Sequence, residues 1–142
     1  MKKLILLSLI LFVQTVFAEN WPYPLTSCLS CGGPFDDPAR ATTLTHQGRE
    51  LKFCCLECVA PFVKDSAAGL ASLESQIVSL QKDSYPVQIC PVSGHELGGM
   101  GEPINYVHGN TLVRFCCAAC IEPFEANPAS YLAILDSARV KP

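Results

Sequence analysis

Beyond residue 18 the chain has no apolar run approaching the roughly 20 residues that a membrane-spanning helix needs, which predicts no span in the mature protein. Basic residues are sparse as well. Ten Lys+Arg stand against 13 Asp+Glu, scattered rather than gathered on a stripe, which argues against a nucleic-acid partner because such proteins carry a basic face. No Ser-His-Asp set, no paired carboxylates and no phosphate-cradling glycine loop occurs at an interpretable spacing, so the sequence points away from an enzyme.

What is present begins with an export pattern. Lys2 and Lys3 precede the apolar stretch from Leu4 to Val13, and Val16-Phe17-Ala18 ends in small-residue cleavage chemistry, so residues 1–18 are expected to be a signal peptide. Residue 19 is Glu, which does not indicate a lipidated N-terminal cysteine. Cleavage leaves 124 residues with a net charge of −5, an ordinary globular size, placed in the periplasm or secreted. Nine cysteines remain, and in an oxidising compartment a dense cysteine pattern is read first as disulfides. The odd count leaves at least one thiol free, paired between chains, or committed elsewhere.

Displacing the sequence by 62 residues superposes it on itself without a gap. Tyr23-Pro24 falls on Tyr85-Pro86, Cys28 on Cys90, Gly32 on Gly94 and His46 on His108. Phe53-Cys54-Cys55 then falls on Phe115-Cys116-Cys117, Cys58 on Cys120 and Pro61-Phe62 on Pro123-Phe124. The expected organisation is a first module over 19–82, including a linker helix, and a second over 83–142. Each copy reads as a cysteine-bearing loop, a hairpin and a helix. Gly109-Asn110 between Ile104–His108 and Thr111–Phe115 is a tight-turn pair, with Gln47-Gly48 in the first copy. Pro61 and Pro123 predict helices that are short, kinked or late-starting. Asn127-Pro128 predicts a break followed by a fresh helix. Leu70, Leu73, Ile77 and Leu80 predict an amphipathic helix over residues 66–82 that packs on a small core.

The first copy spaces its thiols as Cys28-x2-Cys31 and Cys54-x3-Cys58, two short clusters that can wrap a tetrahedral ion with metal–sulfur bonds of about 2.3 Å. Cys54 and Cys58 share a helical face at a helix start, where the dipole favours thiolate, the form that binds metal. The second copy keeps Cys90, Cys116 and Cys120 but has Ser93 in place of Cys31. Its fourth position is open, filled by water, or filled by His95 or Met100. Such a site suits monovalent copper as well as zinc. Thiolate count alone predicts a closed first site and a more exchangeable second one. His46 and His108, at the strand ends, read more simply as turn residues than as extra ligands.

The motifs Cys90-Pro91-Val92-Ser93-Gly94, Phe115-Cys116-Cys117-Ala118-Ala119-Cys120, Phe124 and Asn127-Pro128-Ala129-Ser130-Tyr131-Leu132 resemble the TRASH and YHS-type heavy-metal-binding modules, once per copy over nearly the whole mature chain. The resemblance implies a small α+β fold of two tandem treble-clef-like knuckles that bind, sense or deliver zinc or copper, with the metal ion and another exported metal-handling protein as partners. It departs from the family at Cys55 and Cys117, often Ser there, and at the end of the first copy, which lacks Asn-Pro-x-x-Tyr. Helical geometry favours Cys54 and Cys116 as ligands over Cys55 and Cys117. Two alternatives stand beside this reading: a disulfide-stapled exported interaction domain without metal, and a thiol oxidoreductase using Cys28 and Cys31. Gly32-Gly33-Pro34 disfavours the latter, because it blocks the helix that a redox Cys-x-x-Cys normally opens.

Overall fold

A computed structural model describes residues 21–140 of the chain. The expected signal peptide lies outside the described residues. The elements form two antiparallel hairpins and four helices: β1 (Thr42–His46), β2 (Arg49–Phe53), α1 (Val59–Lys64), α2 (Ser66–Gln81), β3 (Ile104–His108), β4 (Thr111–Phe115), α3 (Ile121–Ala126) and α4 (Pro128–Arg139). Each element of the second half begins 62 residues after its counterpart. The fold is therefore small α+β, built around two hairpins.

The turns solve one geometric problem in two ways. Gln47 and Gly48 both take positive φ, 51° and 76°, as a type I′ turn requires. In the second hairpin only Gly109 does, at 58°, the signature of a II′ turn with Gly at its first central position. A Cβ at Gly109 would also fall on the indole of Trp21.

Both prolines sit in the third residue of short helices, α1 and α3, where the N–H that proline lacks has no intrahelical acceptor in any case. The helices are consequently short rather than kinked. At the start of α2, Asp65 caps the helix by accepting from the Ala68 amide at 3.0 Å, a contact worth about 1 kcal/mol. Its counterpart Asn127 makes no such bond, and Pro128 opens α4 with φ already set. Gly69 and its counterpart Tyr131 follow the same logic of fit. The Phe62 ring lies where a Cβ of Gly69 would stand, whereas Tyr131 carries its own ring to 6.0 Å from Phe124.

The two hairpins are covered differently. Toward the core, Leu51 and Phe53 in β2 and Val113 and Phe115 in β4 are fully buried. The opposite face of the first hairpin is polar, with Thr45 paired to Glu50 and Thr43 to Lys52. At the positions of Thr45 and Glu50 the second hairpin has Val107 and Leu112, and Leu112 is fully buried. Helix α2 packs against α1 and also against β3 and β4, so it lids the second hairpin. Leu73 and Ile77 are the buried residues of α2. Leu80, expected on the same stripe, is 54% exposed, because the last turn meets the hairpin through Gln81 instead. The Gln81 side chain donates to the Asn110 carbonyl at 3.0 Å and accepts from the Leu112 amide at 2.8 Å.

A polar junction completes the contact between the halves. Buried Arg49 donates to the Asn110 side-chain oxygen at 3.0 Å and pairs with Glu74 at 3.1 Å, while Asn110 donates to the carbonyls of Trp21 and Pro22. Each bond satisfies a polar group that would cost free energy if buried alone. The buried side chains of both halves form one cluster.

Candidate metal centre

Each cysteine cluster is assembled by the same three pieces. The first is a knuckle, in which the Cys28 amide donates to the Gly33 carbonyl at 2.8 Å and the Gly32 amide returns to Cys28 at 2.9 Å. Gly32 takes φ +69° there, a conformation that side chains rarely adopt. The second knuckle repeats it, with Cys90 donating to the His95 carbonyl at 2.7 Å, Gly94 returning at 2.9 Å, and Gly94 at φ +74°. The other two pieces are the end of the second hairpin strand, which delivers Cys54 or Cys116, and a single 3-10 turn ahead of the helix, which delivers Cys58 or Cys120.

The sulfurs of Cys28, Cys31, Cys54 and Cys58 all lie within 4.8 Å of one another, and so do those of Cys90, Cys116 and Cys120. The Cys31–Cys54 and Cys54–Cys58 pairs are 3.6 and 3.5 Å apart. Four sulfurs at about 2.3 Å from one ion would have edges of roughly 3.8 Å, and three in a plane with it roughly 4.0 Å. In the second cluster Cys116 and Cys120 stand 3.9 Å apart. These spacings fit metal ligation and exceed the roughly 2.05 Å of a disulfide. All nine cysteines are unpaired.

The electrostatics also suit a cation. Burial alone would push the Cys28 thiol up, but the amides of Cys31, Cys54 and Ser30, with the Cys31 thiol, hold it down at about 6. Cys90 behaves alike: burial opposes ionisation, and the hydroxyl and amide of Ser93 with the amides of Cys116 and Val92 bring it to about 6. Their neighbours move the other way. Cys58 is driven above the ordinary thiol range by the thiols of Cys54 and Cys55, and Cys120 is pushed up to about 12 by burial and by Cys90. Cys54 is lowered by Cys58 but raised more by Cys31 and Cys28, ending at about 11. One thiolate therefore forms readily in each cluster and opposes the next, an opposition that a bound cation removes.

Seven of the eight predicted ligands are gathered in this way. His95 is not. It is exposed, and its ring does not join the three sulfurs within 4.8 Å, while its carbonyl closes the knuckle. Ser93, at the repeat position of Cys31, is the candidate for the fourth corner, its hydroxyl lying 3.2 Å from the Cys116 sulfur. Met100 is 64% exposed. Cys117 is close to the cluster, 4.0 Å from both Cys116 and Cys120, and Cys55 is 3.9 Å from Cys54. His46 and His108 do structural work: each ring meets the helix phenylalanine of its own copy edge-on, Phe62 at 5.3 Å and Phe124 at 5.2 Å.

The expectation of a closed first site meets a different geometry. Cys31 and Cys54 are exposed, whereas Cys90, Cys116 and Cys120 are all buried. Thiolate number and solvent access thus run in opposite directions in the two clusters. Because a hydroxyl replaces the fourth thiol, Ser93→Cys is expected to tighten metal binding at the second cluster by at least roughly tenfold. Chelator competition on the full chain measures this, and unchanged affinity would count against Ser93 as the fourth corner.

The chain thus carries two cysteine clusters compatible with metal binding. No protein-family model, curated protein or solved structure matches it. Among the described residues no helix is long and apolar enough to cross a membrane.

Proposed function

We propose that this chain is an exported metal-handling protein that holds one soft ion, zinc or copper(I), in each of two TRASH/YHS-like, treble-clef-like modules. The observation that carries the reading is the convergence of four unpaired thiols from a knuckle, a strand end and a helix start, at spacings a single ion would span. The first ion would be held by Cys28, Cys31, Cys54 and Cys58, and the second by Cys90, Cys116 and Cys120 beside Ser93. The bound ion supplies charge neutralisation that lets all the thiols ionise together. The chain's own part is to fix the sulfurs through backbone bonds and glycine knuckles. Binding rather than catalysis is the proposed role, in the periplasm or outside the cell, with a second exported protein as donor or acceptor.

The test is metal analysis by mass spectrometry of the protein isolated from its own compartment, with a parallel count of free thiols. Two soft ions per chain, lost on exhaustive chelation at neutral pH, are expected. Cysteines found paired in disulfides, with no metal uptake after reduction, would leave the disulfide-stapled domain as the better account.

A further inference from the structure

The exposed edge of the first cluster does not face bare solvent alone. Beside Cys54 lies a cleft of about 350 Å³ whose walls include Phe35, Asp36, Asp37 and Arg40. That is at the small end of the roughly 300–1,000 Å³ typical of small-ligand sites. Arg40 makes no ion pair among the described residues. The cleft therefore presents a guanidinium, two carboxylates and a metal-binding sulfur within one small volume. In the second copy the positions of Asp36, Asp37 and Arg40 are Gly98, Gly99 and Glu102, so the guanidinium is absent there. The sulfurs of that copy are also shielded, Cys90 at 0%, Cys116 at 3% and Cys120 at 6% exposure.

We infer that the first cluster is the site where the ion enters and leaves, and that the cleft beside Cys54 seats a small thiol carrying both a carboxylate and an ammonium group, which takes over one metal–sulfur bond. The second cluster is then the resident site. Arg40 pairs with the carboxylate and Asp36 with the ammonium, while the thiol reaches the ion from the Cys54 side. In the exchange step the incoming sulfur gives up its proton and forms a bond to the ion as the Cys54–metal bond breaks. The released Cys54 thiolate takes up the proton, and no electrons are transferred. Repetition at Cys31, the other exposed ligand, would free the ion from the chain. A buried three-sulfur site offers no comparable approach, although it holds fewer thiolates.

This inference rests on the metal-binding reading, and the experiment separates the two. The full mature chain is loaded with cadmium-113, whose resonance distinguishes a four-sulfur from a three-sulfur environment, and is then challenged with L-cysteine or with the neutral thiol 2-mercaptoethanol. Absence of any thiolate-bound cadmium signal would refute metal binding itself. With both signals present, the four-sulfur resonance is expected to fade first; loss of the three-sulfur signal first, or of both together, would overturn the assignment of the exchange site. Arg40→Ala is expected to slow release to L-cysteine by roughly two- to fivefold, the range of an exposed ion pair, and to leave release to 2-mercaptoethanol unchanged. Equal L-cysteine rates in the two proteins would discard the seat in the cleft.

Discussion

Stripping metal from the reduced protein is expected to lower its unfolding midpoint by on the order of 20 °C or more. An ion at a thousand times its dissociation constant stabilises a fold by about 4 kcal/mol, and two sites double that. A domain of this size shifts by several degrees per kcal/mol. The apo state adds its own difficulty. Four sulfurs within 4.8 Å in one cluster and three in the other crowd together with no cation to hold them, and the knuckles that carry the first ligands have exposed tips. Calorimetry of the reduced chain with zinc, and again after chelation, measures the effect. Coincident transitions would show that neither cluster contributes to stability.

The second large effect is expected at Phe124. Its ring is fully buried and meets four others: Tyr106 at 5.8 Å, His108 at 5.2 Å, Phe115 at 5.4 Å and Tyr131 at 6.0 Å. Phe124→Ala removes all four contacts and leaves a cavity between the second hairpin and its helices, at a cost of about 3–5 kcal/mol. Among the described residues the counterpart Phe62 meets only the rings of His46 and Phe53, and Gly69 supplies no side chain beside it. Phe62→Ala is therefore expected near the lower end of that range. Urea unfolding of metal-saturated protein compares them, and equal losses would contradict the idea that the aromatic cluster makes the second half the firmer one.

The parts of the fold that were legible in the sequence are those fixed by local spacing. Turn pairs at 47–48 and 109–110, prolines that limit α1 and α3, and cysteines in two short runs each specify a feature through residues close together in the chain. The gathering of seven thiols followed because the repeat placed every ligand at the same point of the same local structure. His95 is the one expected ligand that the structure does not bring to the three sulfurs. Two residues beyond Ser93 is near in sequence, but His95 is exposed there and takes part in the knuckle through its carbonyl.

What distance along the chain decides was harder to see. Arg49 and Asn110 are 61 residues apart, and nothing near either predicts that they bond. The relative exposure of the two clusters is likewise a property of what packs above them. One signal was available: Thr45 and Glu50 in the first copy become Val107 and Leu112 in the second, which marks a face that something must cover. The cover is α2, and its last turn seats through Gln81 rather than Leu80.

That cover has a consequence for the order in which the chain can mature. A polypeptide emerges N-terminus first, so Cys58 and the whole first cluster are available before any of the second hairpin exists. Until β3 and β4 arrive, α2 has α1 to pack on but not the second hairpin, and Arg49 has no Asn110 to bind. An intermediate with its first thiols assembled and its longest helix covered on one side only is thus built into the topology. Its remaining apolar surface is covered when the second hairpin forms and the turn at Gly109-Asn110 meets Gln81.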